Sequence, residues 1–285
     1  MTLRPLSVTP QAWRLGAIAV SAVVFAFLIA PILIIVPLSF SGDPFFSYPI
    51  EHWSLRWYAA LFGDDPQALL WQRAVVNSLS IGLSATLLAT ILGTLAAIGL
   101  WRRRLPFANV MTALMLSPLI VPIVVTAIGM YYFYARLGLI GSYTGIILAH
   151  AALGAPFVLI TVSATLASFD QTLLKAGAIL GAGPVRVFRM IMLPLILPGV
   201  VSGAIFAFAT SWDEVVIVLF LAGPQQHTIP RRMWSGMRDN LSPTIIAAAT
   251  LWVGHKWMRI PMGVMVGVLA GLQTQPAVLG FGLEQ

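Results

Sequence analysis

Residues 175–194 read Lys175-Ala176-Gly177-Ala178-Ile179-Leu180-Gly181-Ala182-Gly183-Pro184-Val185-Arg186-Val187-Phe188-Arg189-Met190-Ile191-Met192-Leu193-Pro194. This basic island lies between two strongly apolar segments. It is too polar to cross a bilayer, and Gly181 and Gly183 sit where a turn between two short helices is expected. The form expected is a helix–turn–helix held at a membrane surface. A membrane protein that moves solute unaided has no obvious need of such an element, whereas one driven by a separate soluble motor does.

The flanking sequence sets the class. Of 285 residues, 59% are hydrophobic and 9% charged, against about 25% charged in ordinary soluble domains. Mean hydropathy is +0.92. The chain reads as a polytopic, all-α membrane protein. It contains no cysteine, which removes disulfides and thiolate metal sites. The net charge of +7 would point to nucleic acid in a soluble protein. Here the basic residues flank apolar runs, so topology is their expected role and no nucleic-acid partner is expected.

The first apolar run, Leu15 to Phe40, exceeds the roughly 7–15 residues of a signal-peptide core and reads as a transmembrane helix. At about 20 apolar residues per span, six are expected, near 15–40, 74–100, 106–134, 144–167, 196–222 and 243 to about 270. His255, Lys256 and Arg259 interrupt the sixth. With the N-terminus inside, the inner segments hold Arg4, Arg14, Arg102, Arg103, Arg104, Lys175, Arg186 and Arg189. The outer ones hold Arg56, Arg73, Arg136, Arg231, Arg232 and Arg238. The excess and the tight Arg102–Arg104 cluster favour a cytoplasmic N-terminus, with the 175–194 island on the same side. Outer residues 41–73 carry interfacial aromatics, and residues 223–242 read as a short surface helix. That second segment is open to two readings, a loop cap or a docking face.

Candidate chemistry is sparse. There is no Walker motif, nucleophile elbow or metal-ligand cluster, so neither catalysis, metal binding nor ATP hydrolysis by the chain itself is expected. Asp213 and Glu214, after Trp212 in the fifth span, are intramembrane acids and hence candidates for a solute pathway. Adjacent helical positions point about 100° apart, so one is expected to face the pathway and the other a neighbouring helix. Asn77 and Ser78 open the second span as helix glue or pathway lining. Pro118 and Pro122 predict a bend in the third span. Gly82, Ser84, Ala85, Gly93 and Ala97 predict close packing of the second.

The spacing Lys175-Ala176-Gly177, three residues, Gly181, nine residues, Ile191-Met192-Leu193-Pro194 resembles the EAA loop of permease subunits of binding-protein-dependent ABC importers. Every interval of that pattern is kept. Lys175 stands for its Glu and Gly177 for its second Ala. Trp53-Ser54-Leu55-Arg56-Trp57-Tyr58, Asn77-Ser78-Leu79, Trp212-Asp213-Glu214-Val215-Val216, Phe220-Leu221-Ala222-Gly223-Pro224, Thr228-Ile229-Pro230, Met233-Trp234-Ser235-Gly236 and Ser242-Pro243-Thr244 resemble the spermidine/putrescine branch. The resemblance runs from about residue 15 to Leu251. Residues 254–285 depart from it, as a shift of reading frame would produce.

The resemblance implies a type I (MetI-like) permease fold with six transmembrane helices in one domain, 1–285, located in the bacterial inner membrane. It implies a coupling loop at about 168–195, with Leu174, Lys175, Ala176, Gly177, Leu180, Gly181, Ala182 and Arg186 engaging an ATPase. It further implies a second permease subunit, for which the branch favours a different chain, two cytoplasmic ATPase copies that bind ATP and Mg, and a periplasmic binding protein that docks near Arg231, Arg232 and Trp234. Trp212, Asp213, Glu214 and Asn77 would line the pathway of a polyamine or similar cation. Phosphonate, iron or amino-acid-like solutes remain alternatives. So does a secondary transporter or channel, which would leave residues 175–194 unexplained.

Overall fold

The computed structural model describes residues 10–44, 47–101, 107–239, 244–247 and 249–250. Eleven helices run through them: α1 (Pro10–Leu38), α2 (Arg56–Phe62), α3 (Pro66–Trp101), α4 (Ala108–Ile120), α5 (Ile123–Leu137), α6 (Tyr143–Ala167), α7 (Thr172–Ile179), α8 (Pro184–Val187), α9 (Leu193–Asp213), α10 (Val216–Leu221) and α11 (Ile229–Asp239). Among the described residues, four helices are long and apolar enough to cross a membrane, or five if the bent pair α4–α5 counts as one span. These match the first five expected spans. The sixth falls almost wholly outside the described residues.

Two spans differ from their expected form. The third is two helices bent by 110°, with the chain extended at Val121 and Pro122. Proline lacks the N–H that would bond four residues back. Pro118 thus frees the carbonyl of Leu114, and the Ser117 hydroxyl donates to it at 2.7 Å. The fifth ends at Asp213, and after an extended residue, Glu214, the chain re-enters a helix as α10. Glu214 is therefore a junction residue, and the 100° offset expected of neighbours on one continuous helix does not apply.

The chain divides into two compact units. In the first, the segment after α1 folds back on itself. Gly42 N–H donates to His52 O at 2.6 Å and Ser54 N–H to Phe40 O at 2.8 Å. Trp57 Nε1 donates to Ser41 O at 2.7 Å. The Ser39 and Tyr58 hydroxyls are 2.6 Å apart. The interfacial segment expected over 41–73 is thus a short loop and α2, and its last residues already belong to α3.

The second unit holds the helices that position the site. Its core is built from small residues because lipid supplies no hydrophobic drive between helices, and close backbone approach must replace it. A Cβ at Gly203 of α9 would lie 2.7 Å from Val158 Cα of α6. One at Gly93 of α3 would lie 2.8 Å from Ala155 O, and one at Gly154 of α6 would lie 2.9 Å from Ala207 Cβ. Ala85, Ala89, Val158, Val162 and Ile196 fill the same layer. A second cluster joins Ile81, Ile146, Ala149 and Leu153 to Val216, Ile217, Val218 and Leu221 of α10. The short α10 is thus buried in protein, where a helix break at membrane depth is tolerated.

Candidate functional site

The 175–194 island folds as a helix, a turn and a helix. Asp170 starts α7: its Oδ1 accepts from Thr172 N–H at 2.8 Å and its Oδ2 from the Thr172 hydroxyl at 2.7 Å. These bonds favour the carboxylate and hold Asp170 below its ordinary pKa. Gly181 takes φ +80°, a left-handed conformation that costs other residues about 1–2 kcal/mol. Gly181 N–H bonds Ala178 O at 3.0 Å and Ala182 N–H bonds Gly177 O at 3.1 Å, closing the turn. Pro184 then opens α8, where its missing N–H is not needed. A π-helical turn, Phe188–Met192, joins α8 to α9.

This element divides into anchors and exposed residues. Leu174 and Phe188 pack on the α3–α6–α9 core. Gly177 is buried against α8 and the π-helical turn, where an added Cβ would approach the Ile191 methyl at 2.6 Å and Val187 at 3.3 Å. Lys175, Ala176, Leu180, Gly181 and Arg186 are exposed, and Ala182 is half-buried. Ile179 and Leu180 are 85% and 86% exposed, with Val185 at 68% and Met190 at 70%. These four apolar side chains stand exposed beside the exposed Lys175, Arg186 and Arg189, an arrangement of the kind found at protein and membrane contacts. The sequence reading included Leu180 but missed Ile179, Val185 and Met190. Their exposure depends on which face α7 and α8 turn to the core.

The intramembrane acids stand at the α9–α10 junction. Trp212 is half-buried and tilts against Phe208, ring centroids 5.5 Å apart. Asp213, half-buried, is the last residue of α9. Glu214 Oε1 accepts from Ile217 N–H at 2.9 Å, which caps the start of α10 in the manner of an N-cap acid. One turn earlier, Ser211 meets His150 of α6, Oγ to Nδ1 at 2.7 Å. Both are buried, and His150 Nε2 finds no partner among the described residues.

Toward the start of α3 and α6, Asn77 ties three elements together. Its Nδ2 donates to Gln225 O at 2.8 Å and His227 O at 3.0 Å. Its Oδ1 accepts from the Tyr143 hydroxyl at 2.9 Å. Ile229 N–H donates to Ser78 Oγ at 2.8 Å. Asn77 is thus occupied in holding the 223–229 loop, the glue role weighed for it from sequence. Of the residues expected to dock a partner, Arg231 turns inward: its Nη1 donates to Val218 O at 3.1 Å and Ala222 O at 3.0 Å, satisfying carbonyls at the end of α10. Arg232 lies over the Trp71 ring at 5.6 Å, and Trp234 packs on the second core cluster. Tyr143, Gln225 and the His150–Ser211 pair were not singled out from sequence, and no local pattern marks them. Among the described residues no cluster of metal-ligating side chains occurs.

Residues 89–256 match the family model described as binding-protein-dependent transport system inner membrane component. The chain is 35% identical over 256 residues to the putrescine transport system permease protein PotI of Escherichia coli (strain K12), covering 87% of this chain and 88% of that one. It is 33% identical over 231 residues to the spermidine/putrescine transport system permease protein PotC of Haemophilus influenzae, covering 81% and 88%. A solved bacterial ABC transporter that imports the acidic polysaccharide alginate contains a chain that superposes with TM-score 0.66 at 14% identity, over 99% of this chain and 98% of that one. This likeness establishes a shared fold. The chain therefore belongs to the family of inner-membrane permease components of binding-protein-dependent ABC importers.

Proposed function

We propose that this chain forms half of the transmembrane pathway of an ATP-driven importer for polyamines or similar small organic cations. It works with a second, different permease subunit, two ATPase copies that bind ATP and Mg, and a periplasmic solute-binding protein. The N-terminus and the 168–195 loop are cytoplasmic. The observation that carries this reading is the α7–turn–α8 element. Its inner face is anchored on the span core by Leu174 and Phe188, Gly177 packs its two short helices together, and Ile179, Leu180 and Val185 project from it. Lys175, Ala176, Gly181, Ala182 and Arg186 complete that docking surface. An ATPase gripping it would transmit closure directly to α6 and α9.

A cationic solute is supported by the α9 terminus. The last carbonyls of a helix carry partial negative charge, and Asp213 adds a carboxyl group there. In this reading Asp213 faces the solute with Trp212 beside it, and Asn77 shapes the path by holding the 223–229 loop. Glu214 fixes the break by capping α10. The relatives named for putrescine and spermidine transport support the same solute class. The deciding experiment is purification of the tagged chain from its native membrane in mild detergent, followed by mass spectrometry and reconstitution with labelled putrescine. Recovery of an ATPase and a second permease, with ATP-dependent uptake, is expected. A folded, self-associating chain alone, passing solute down an ion gradient, would refute it.

A further inference from the structure

We propose that the buried hydrogen bond between His150 and Ser211 sets the rotation of the last turn of α9 and thereby aims Asp213 at the solute. His150 is a positioning residue in this sense, acting through Ser211 without touching solute. The inference rests on the reading above in which Asp213 faces the solute.

The face of α9 toward α6 is a stripe at four-residue intervals. Gly199, Gly203, Ala207 and Ser211 are all buried. Built Cβ atoms at Gly199 and Gly203 would lie 2.9 Å from Thr161 O and 2.7 Å from Val158 Cα. Such a face lets two backbones touch, but glycine and alanine side chains offer no directional bond. The adjacent hydroxyls of α6 turn back onto their own helix: Thr161 donates to Phe157 O and Thr165 to Thr161 O, each at 3.0 Å. At the C-terminal end of the stripe the chemistry changes. Ser211 Oγ lies 2.7 Å from His150 Nδ1, with Ser211 6% and His150 1% exposed. A phenyl ring would be buried there at a smaller desolvation cost. What the imidazole adds is a bond of fixed length and direction between α6 and α9.

That bond orients the acid. Two positions along a helix correspond to about 200° around it. With Ser211 held on α6, Asp213 turns to the opposite side of α9, away from the packed stripe. The α3 side is closed as well. A Cβ built at Gly82 would lie 3.2 Å from the Phe208 ring and 3.9 Å from Ser211 Oγ, and Phe208 carries Trp212, with ring centroids 5.5 Å apart. Because α9 stops at Asp213, no further helical turn stiffens this end, and a bond to a neighbouring helix takes on that task.

The chain holds no cysteine, so Asp213→Cys in the assembled complex places a single thiol on it. The probe is aminoethyl methanethiosulfonate, with the label read on this chain by mass. Fast labelling is expected with His150 and Ser211 intact. Adding Ser211→Ala or His150→Phe should slow it about fivefold, the scale of one interhelical hydrogen bond in a membrane. His150→Asn, whose amide lies at the Nδ1 position, should restore the rate; His150→Gln, whose amide lies one bond farther out, should not. With Asp213 intact, Ser211→Ala and His150→Phe should lower solute taken up per ATP hydrolysed, again about fivefold, at saturating loaded binding protein. Ser211→Ala removes one oxygen atom and carries the test if His150→Phe does not assemble. Labelling and uptake per ATP at wild-type levels in Ser211→Ala, with only Tm lowered, would make the pair plain packing and overturn the proposal. Equal rescue by Gln would overturn it too, since the bond at Nδ1 would then be dispensable. An introduced thiol that stays unlabelled with His150 and Ser211 intact would instead remove the reading of Asp213 as solute-facing, a result distinct from labelling that is indifferent to Ser211.

Discussion

Replacing Gly181 isolates a backbone effect in the α7–α8 turn that we propose couples the spans to the ATPase. Its φ is +80°, and a Cβ built there meets nothing within 4 Å. A side chain therefore brings no clash, only the cost of left-handed backbone, about 1–2 kcal/mol for an ordinary L-residue. At tenfold per 1.4 kcal/mol, the native turn loses about 5- to 30-fold in relative population. Asn tolerates this region, Ala less so, and β-branched residues least. The expected order of ATPase coupling and uptake is therefore wild type, Gly181→Asn, Gly181→Ala, Gly181→Val. Gly183 provides the internal control. It lies two residues away, also with nothing within 4 Å of a built Cβ, but at φ −65°. Gly183→Ala should stay within about 0.5 kcal/mol of wild type. The assay is binding-protein-stimulated ATPase and solute uptake in proteoliposomes, normalised to assembled complex. Equal activity of Gly181→Val and Gly183→Ala would refute the link between this dihedral and coupling.

Other consequences follow from the core and the outer loop. Gly203→Ala forces a Cβ to 2.7 Å from Val158 Cα; overpacking of this kind costs about 1–3 kcal/mol, read as a lowered Tm in detergent, whereas Gly129→Ala, inside α5 with open space around it, should hold or slightly raise Tm. Asn77→Ala strips two donors from the carbonyls of Gln225 and His227, at about 1–3 kcal/mol for groups left unsatisfied. Hydrogen exchange of residues 223–229 should accelerate, and unchanged protection would contradict the clamp. His227 binds its proton less readily when folded, through burial and then Arg231 and Arg232. Its contribution to loop stability is therefore present above its unfolded value of 6.5 and is lost as pH falls through the lowered folded value. The protection factors of the loop, corrected for the intrinsic exchange rate at each pH, should fall below about pH 6.5 in wild type and lose that dependence in His227→Gln.

Much of the site was legible because its signals are local. The spacing of Gly177, Gly181 and Pro194 marks a helix, a turn and a re-entry into the membrane, and each follows from the conformational limits of glycine and proline. The bend in the third span was legible at Pro118 and Pro122 for the same reason, although its size, 110°, was not. The break after Asp213 was hidden. Residues 196–222 carry no charge apart from the acids and are largely apolar, and apolar periodicity alone does not show where a buried helix stops. Glu214 read as a pathway acid because its capping bond to Ile217 exists only once the helix has ended.

The sequence by itself determined the membrane class, the positions of the described spans and the turn at Gly181, since apolar run length and left-handed glycines are read within a single segment. The tertiary structure alone decided which polar groups face one another. Asn77 meets Gln225 across 148 positions, Ser78 meets Ile229 across 151, and His150 meets Ser211 across 61. Arg231, basic and suited to docking by its sequence, turns back onto the carbonyls of α10. Such pairings depend on the rotation and depth at which α3, α6 and α9 interlock through Gly93, Gly154 and Gly203. That register is set by the contact of backbones distant in sequence, which the pattern within any one segment does not record.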